Sequence, residues 1–365
     1  MVRRMRTMAA AAAVAVVAML PGAVAEAPLA PHQLVVVEAG GDAVVTLKGY
    51  DLDGDALLAK LKTVAASGST YQLSKVFSDY GYEPKQGSAM HSGESVTGSK
   101  NRVYYKRPPV DTKKVGAWGE FTYTVSDGSS TSEPGMVTLV PSSGILVGSN
   151  FARNAEGWTI TGNKAASIPA SYESSSRGLL NHYVHGADDT IHTHLTAGDD
   201  QSLWYFQAPS SFLGHHGIAY GGTLDFVLSS FHGDFSADKL NTGVGSSDLH
   251  LVVLTCDKCD TNRGVTIAFP LKKTKAFTGT TAQYSLSLKE SAGWVKDPKN
   301  SLAKWAAPSK CDFIELLSGL SSVKILGDFT SWYESVALDT VQIKNTKAQV
   351  PICAQGTPDA SKCSC

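Results

Sequence analysis

The sequence predicts an all-β fold made of two β-sandwich domains, and three observations support this prediction. The chain of 365 residues contains 34 glycines and many serines and threonines. Its segments rich in Val, Thr, Tyr and Phe are short and end at turn residues, which is typical of β-sandwiches. Apolar and polar residues alternate along several of these segments, as they do where one face of a strand is buried.

Residues 1–25 have the pattern of a secretory signal peptide. Arg3, Arg4 and Arg6 form a positive start, residues 7–20 form an apolar core, and 23–25 read Ala-Val-Ala. An apolar core of about 14 residues is short for a membrane span, and a small-x-small sequence suits cleavage. No later stretch approaches about 18 continuous apolar residues. We therefore expect a secreted, extracellular protein without a transmembrane segment.

The first domain is predicted over 27–141. Its residues 44–61 read VVTLKGYDLDGDALLAKL, and residues 121–128 read FTYTVSDG. This resembles a bacterial cadherin-like or Ig-like repeat, in which a strand leads into Asp-x-Asp-Gly-Asp and the domain ends on Phe-x-Tyr-x-Val-x-Asp-Gly. Alternation predicts that the aromatic residues at 121 and 123 share one face. Asp127-Gly128 predicts a tight turn, because Asp-Gly tolerates positive φ.

Three carboxylates at alternate positions, Asp51, Asp53 and Asp55, suggest a calcium site, which Asp127 would complete if the two turns lie at one end of the sandwich. Calcium takes six to eight oxygen ligands, and carboxylates in a turn can converge on one point. The segment is not an EF-hand, because Lys62 stands where the bidentate Glu would be. The alternative is that these side chains bond their own backbone and form turns. Calcium is the cofactor that the sequence predicts.

The second domain is predicted over 148–345, after a linker at 142–147. Residues 203–224 read LWYFQAPSSFLGHHGIAYGGTL. The run resembles the laminin domain IV (type A, laminin B) family, with Phe206 and Gly319 as departures from its pattern. The resemblance implies an extracellular, non-catalytic jelly-roll sandwich. It continues through the apolar residues of a strand, a helix and a final strand pair: Leu286, Leu288, Trp294, Phe313, Ile314, Leu316, Leu317, Leu320, Val323, Ile325, Leu326, Val336, Leu338, Val341 and Ile343.

The even number of cysteines suggests disulfides in an oxidising compartment. Cys256 and Cys259 could close a tight loop, or one of them could form a disulfide with Cys311. The alternative interpretation of the sequence CDKC is a zinc site. Residues 346–365 form a short Cys-rich tail. The six disulfide candidates are Cys256, Cys259, Cys311, Cys353, Cys363 and Cys365.

No residue is predicted to be catalytic. The hydrolase and phosphate-binding motifs are absent from the sequence. The segment 182–200 is rich in His and Asp, which suits a metal site or an ordinary wet β surface. The aromatic run Trp204-Tyr205-Phe206 suits a buried core strand or a sugar-stacking platform. A net charge of −1 with 18% charged residues excludes nucleic acid and anionic membranes as expected partners.

These observations predict a secreted, non-enzymatic protein of the extracellular matrix or cell surface, with an adhesive or structural role and protein or glycan partners. The alternative is a lectin-like carbohydrate-binding module, or an accessory domain of a secreted carbohydrate-active system.

Overall fold

A computed structural model of the chain describes residues 26–38, 41–78, 81–109, 115–162, 167–174, 182–188, 203–236, 249–297 and 305–347. The predicted signal peptide and the last three cysteines lie outside the described residues. Within the described part, no helix is both long enough and apolar enough to cross a bilayer.

The first sandwich consists of two four-stranded sheets around one apolar core. Its strands are β1 (Gln33–Val37), β2 (Ala43–Thr46), β3 (Leu58–Leu61), β4 (Ser69–Ser78), β5 (Gly81–Ala89), β6 (Arg102–Lys106), β7 (Gly119–Ser126) and β8 (Gly135–Pro141). One sheet has the order β1-β8-β7-β3 and the other β2-β6-β4-β5. The β1–β8 pair is parallel, and the other strand pairs in the described part of this sandwich are antiparallel.

Strand β7 shows why the alternating sequence forms this sandwich. Phe121, Tyr123 and Val125 are buried, whereas the residues between them are partly exposed. The Tyr123 hydroxyl lies 2.9 Å from the Pro31 carbonyl oxygen and 2.7 Å from that of Lys48. Burial of each such side chain contributes about 1.5–3 kcal/mol, and the hydroxyl contacts tie β7 to the start of the chain.

The second sandwich packs a seven-stranded sheet against a six-stranded one in the described residues. Its strands are β9 (Ile145–Ser149), β10 (Thr159–Gly162), β11 (Ile168–Pro169), β12 (Ser171–Glu173), β13 (Tyr183–Ala187), β14 (Trp204–Gln207), β15 (Thr223–His232), β16 (His250–Cys256), β17 (Val265–Pro270), β18 (Ala282–Ser287), β19 (Val295–Asp297), β20 (Ser322–Leu326) and β21 (Ser335–Lys344). The orders are β11-β10-β14-β20-β16-β17-β19 and β12-β13-β21-β15-β18, with β9 paired to β21. The predicted all-β class with two sandwiches is confirmed.

Two α-helices are present in the described residues, α1 (Cys259–Asn262) and α2 (Lys310–Ser318), besides four short 3-10 helices. Ser309 caps α2, because its hydroxyl accepts a hydrogen bond from Asp312 N while the Asp312 carboxylate accepts one from Ser309 N. This reciprocal pair satisfies two backbone donors that the first turn would leave free. The helix forms where the sequence showed a helix-like apolar pattern.

The aromatic run of β14 lies in the core of the second sandwich. Trp204 and Phe206 are fully buried, which confirms the core interpretation of this strand. The Tyr-Gly-Gly segment also has a structural role, since a Cβ on Gly222 would collide with the Lys344 carbonyl oxygen. Glycine is needed there for the close approach of two strands.

The two sandwiches touch through residues near their junction. Ile145, in the predicted linker, begins β9, and its neighbour Leu146 accepts a hydrogen bond from Ala117 N at 3.0 Å. Leu34 packs in the same apolar cluster as the core of the second sandwich. The His32 ring stacks on that of His215, with ring centroids 5.5 Å apart.

Candidate ligand-binding surface

One end of the second sandwich combines a pocket with exposed aromatic side chains. We call it the loop-end surface and define it as residues 230–236, 278–279 and 329–334. A pocket of about 430 Å³ opens between the first two segments. The third segment adjoins it, because His232 pairs with Ser335 and a Cβ on Gly233 would lie 3.0 Å from Glu334 Cβ.

Two large aromatic side chains are partly exposed on this surface. Trp332 is 43% exposed and Tyr333 is 45% exposed, although both are large and largely apolar. They occupy the loop between β20 and β21, directly before a buried Glu334. Aromatic residues of this kind dominate the energetics of binding interfaces, because they bury a large area at a small entropy cost.

Three phenylalanines form the floor below the loop. Phe235, Phe277 and Phe329 have ring centroids 4.7 to 6.4 Å apart. Gly279 has φ +79°, and a Cβ there would lie 2.6 Å from Phe235 Cδ2. The glycine therefore allows both the turn and the packing of the ring. The loop-end surface consequently rests on a packed aromatic base.

Hydrogen bonds within the loop fix its shape. The Thr330 hydroxyl donates to the Trp332 carbonyl oxygen at 2.7 Å, and Trp332 N donates to Thr330 Oγ1 at 3.3 Å. The Glu334 carboxyl group accepts a hydrogen bond from Phe329 N through Oε1, and its Oε2 contacts Thr330 Oγ1. The backbone that carries the two exposed aromatics is thus held at both sides.

Two buried acidic residues lie beneath this loop. Asp188 and Glu334 are both fully buried. Asp188 Oδ1 accepts a hydrogen bond from Trp204 Nε1 at 2.7 Å, and its Oδ2 accepts one from Glu334 N at 2.7 Å. Burial first, and then the negative charge of Asp188, raise the pKa of Glu334 to about 9. Asp188 lies in the His- and Asp-rich segment 182–200, whereas no sequence pattern indicated Glu334.

The His- and Asp-rich segment is only partly described. The Tyr172 hydroxyl lies 3.0 Å from His182 Nδ1, and the two rings stack. His185 packs edge-on against Phe231, which lines the pocket. In the described ranges, no group of three or more His, Cys, Asp or Glu side chains is arranged to hold a metal ion. The remaining members lie outside the described residues: Asp189, His192, His194, Asp199 and Asp200.

The acidic residues of the first sandwich form turns. Asp51 Oδ1 accepts hydrogen bonds from Asp53 N at 2.9 Å and from Asp55 N at 3.2 Å. Asp127 Oδ1 accepts from Ser129 N and from the following backbone N–H, both at 2.6 Å. These bonds lower the pKa of Asp127, because they favour its charged form. The second oxygen of Asp51 is buried and has no hydrogen-bond partner among the described residues.

Calcium binding by Asp51, Asp53, Asp55 and Asp127 stays a prediction. If the ion binds, millimolar calcium in place of a chelator should raise the melting temperature of the first sandwich by several degrees, because ligand at 100 times Kd stabilises a fold by about 2.7 kcal/mol. Differential scanning calorimetry of the full chain would measure this, with Asp51→Asn as the variant. Equal melting temperatures of the unmutated chain with calcium and with chelator would contradict the prediction.

A disulfide joins Cys256 to Cys259 and closes a tight loop. Of the alternatives that the sequence left open, the structure therefore shows this pairing and not one with Cys311. Asp260 has a left-handed backbone, and its N–H donates to Glu315 Oε1 at 2.9 Å. The disulfide loop is thereby tied to α2. Cys311, on the same helix, is half-buried and has no disulfide partner among the described residues. The tail cysteines lie outside the described residues.

Comparison with known proteins supports the laminin resemblance. The sequence model of the family described as Laminin B (Domain IV) matches residues 205–355. No curated protein matches the chain. The cadherin-like resemblance of 27–141 stays a prediction.

Three solved structures are similar to the chain at low identity. The L4b domain of human laminin alpha-2 is 11% identical over 55% of this chain and 97% of that one, with a TM-score of 0.41. A family 30 carbohydrate-binding module is 11% identical, with 56% of this chain and 92% of that chain covered and a TM-score of 0.30. SGBP-B from a xyloglucan utilization locus in Bacteroides uniformis is 11% identical, with 84% of this chain and 79% of that chain covered and a TM-score of 0.26.

Proposed function

We propose that the chain is a secreted, non-enzymatic binding protein of the extracellular matrix or cell surface, and that its second sandwich holds a partner at the loop-end surface. The matched range of the Laminin B (Domain IV) family includes all three segments of this surface. That family is extracellular and non-catalytic, which supports both the location and the absence of catalysis.

The observation that carries the proposal is the fixed exposure of Trp332 and Tyr333. Side chains left in water on a mobile loop would lose much conformational entropy on binding a partner. Here the loop is already held by Thr330 and Glu334 and rests on packed phenylalanines. A preorganised aromatic pair beside a pocket is the arrangement in which a few residues supply most of the binding energy.

The lining of the pocket favours a glycan as the second candidate partner. The lining contains the hydroxyl groups of Ser230, Ser236 and Thr278, the imidazole of His232 and the carboxylate of Asp234. Such groups donate hydrogen bonds to sugar hydroxyls and accept hydrogen bonds from them. Aromatic faces stack on sugar rings. A uniformly charged patch is not part of this lining. The surface therefore suits an uncharged polysaccharide better than a polyanion.

The proposal predicts that one double substitution strongly weakens partner binding. The full chain would be applied to an array of polysaccharides and extracellular-matrix proteins. The affinity for each partner that binds would then be measured by titration calorimetry. The double variant Trp332→Ala, Tyr333→Ala should lose about 30-fold or more in affinity, since two hot-spot residues contribute at least about 2 kcal/mol.

Tyr50→Ala is the matched control, because Tyr50 is 49% exposed but lies in the first sandwich. It should bind like the unmutated chain. Saturable signals on polysaccharides would assign the glycan candidate, and signals on matrix proteins alone would assign an adhesive role. An affinity unchanged by the double substitution would refute the loop-end surface as the binding site.

A further inference from the structure

An exposed leucine marks the outer end of the first sandwich. Leu52 is 82% exposed, more than any other large apolar side chain in the described part of the chain. It lies in the sequence Asp-Leu-Asp-Gly-Asp, so that Asp51 precedes it, Asp53 follows it and Asp55 stands two positions further on. The loop therefore presents one apolar side chain that is flanked by three carboxylates.

Hydrogen bonds hold this acidic loop in one shape. Asp51 Oδ1 accepts hydrogen bonds from Asp53 N and Asp55 N, which enclose the turn directly after the exposed leucine. On the far side of the loop, the Asn101 side chain donates to the Leu57 carbonyl oxygen at 2.8 Å. A backbone that is fixed in this way loses little conformational entropy when a partner covers the leucine.

An apolar cavity, distinct from the pocket of the loop-end surface, opens in the second sandwich. Its volume is about 260 Å³, which is below the range of about 300–1,000 Å³ that is usual for sites of drug-sized ligands. Leu249, Phe277 and Phe329 are buried in its walls, and Ala276 is exposed at its rim. A cavity of this size and lining suits a single aliphatic side chain of a partner.

Lysines stand at the mouth of this cavity. Lys272 is the one charged side chain among the described residues of the lining, and Lys273 and Lys275 belong to the same short segment. All three are exposed, and Lys273 Nζ donates to the Gly293 carbonyl oxygen at 2.9 Å. The mouth is therefore positive, and the carboxylates around the exposed leucine have the complementary charge, which favours encounter of the two surfaces.

The leucine and the cavity lie at opposite ends of the chain. Strand β7 begins beside the junction of the two sandwiches and ends at Ser126, which pairs with Leu58 directly after the acidic loop. Strand β21 begins next to the loop that holds Phe329 and ends at Lys344, which pairs with Ile145 at the junction. A chain therefore cannot place its own leucine in its own cavity, whereas a second copy can.

We propose that copies of the chain associate head to tail, with Leu52 of one copy in the apolar cavity of the next and the adjacent carboxylates facing Lys272. The contact joins two different surfaces, and contacts of this kind build rings or open chains. One buried leucine and a few exposed ion pairs give a weak contact, which requires a high local concentration. The inference goes beyond the proposed function, because Trp332 and Tyr333 do not line this cavity.

Sedimentation velocity of the full chain over a range of concentrations measures this association, with a chelator present to keep calcium off the carboxylates. The mean sedimentation coefficient should rise with concentration, and less so at about 0.5 M salt than at about 0.05 M. Leu52→Asp should weaken association at least about tenfold, because the leucine is no longer buried. Val64→Asp is the matched control, since Val64 is 43% exposed and follows the opposite end of β3. It should associate like the unmutated chain.

A mixture of two variants tests whether the contact joins different ends. Ala276→Glu places a carboxylate at the exposed rim of the cavity and should also weaken association at least about tenfold. Leu52→Asp keeps an intact cavity and Ala276→Glu keeps the leucine, so an equimolar mixture should form dimers although neither variant does so alone.

Three results would overturn the head-to-tail contact: an unmutated chain that stays monomeric, a mixture that stays monomeric, or equal losses in Leu52→Asp and Val64→Asp. Association that is lost in Ala276→Glu but kept in Leu52→Asp would also overturn it, since another segment would then fill the cavity. Leu52→Asp should keep its affinity for partners from the array, so this inference and the proposed function can fail separately.

Discussion

Replacement of Trp204 by alanine should lower the free energy of unfolding of the second sandwich by about 3–5 kcal/mol, the usual range for a buried tryptophan. The ring is fully buried, and its centroid lies 5.2 Å from that of Phe206. Its neighbours leave no room for adjustment, since a Cβ on Gly186 would lie 3.0 Å from the ring and one on Gly327 would overlap it. The cavity left by alanine would therefore stay largely open.

Trp204→Phe separates packing from hydrogen bonding. Phenylalanine keeps most of the ring volume but cannot donate to Asp188, so the buried carboxylate loses one of its N–H partners. An unsatisfied buried acceptor costs about 1–3 kcal/mol. Urea denaturation of the two variants would measure both quantities. A loss below about 1 kcal/mol for Trp204→Ala would contradict the central position of this ring.

Acidification should destabilise the chain at the contact between its two sandwiches. Burial, and to a lesser extent the neighbouring His215, lower the pKa of His32 and of His216 to about 4. The unfolded chain binds these protons near pH 6.5, so stability is present above that value and is lost as the pH falls towards 4. For His216 the loss is on the order of 3 kcal/mol.

His216→Asn tests this effect, because asparagine is polar but does not titrate between pH 4 and 7. The melting temperature of this variant should change less from pH 7 to pH 4 than that of the unmutated chain. The test compares the change in melting temperature of the variant with that of the unmutated chain, since other groups also titrate between pH 7 and pH 4. Parallel curves would show that His216 is not a buried neutral imidazole.

Local sequence patterns were sufficient for the fold class. Alternation placed Phe121 and Tyr123 on one face, and the structure buries both of them. The same period appears in β14, where Trp204 and Phe206 are buried and Tyr205 is only partly buried. These patterns succeed because side-chain direction in a strand has a period of two, which neighbouring residues reveal without knowledge of the partner strand.

The loop-end surface was not predictable by the same means. It forms where the ends of β13, β15 and β21 meet, and Asp188 and Glu334 are joined across 146 positions. Their pairing depends on strand register, including shifts between Ser230 and His232, which no local pattern encodes. Trp332 and Tyr333 also lack a sequence signal, because a Trp-Tyr pair before a strand suits a core position equally well.

Hydrogen-exchange mass spectrometry with a ligand from the array tests the central claim most directly. The amides of 230–236 and 329–334 should exchange more slowly when the partner is bound, while those of the first sandwich should not change. This footprint would place the ligand on the loop-end surface. Protection confined to other segments, with no change at 329–334, would contradict the account.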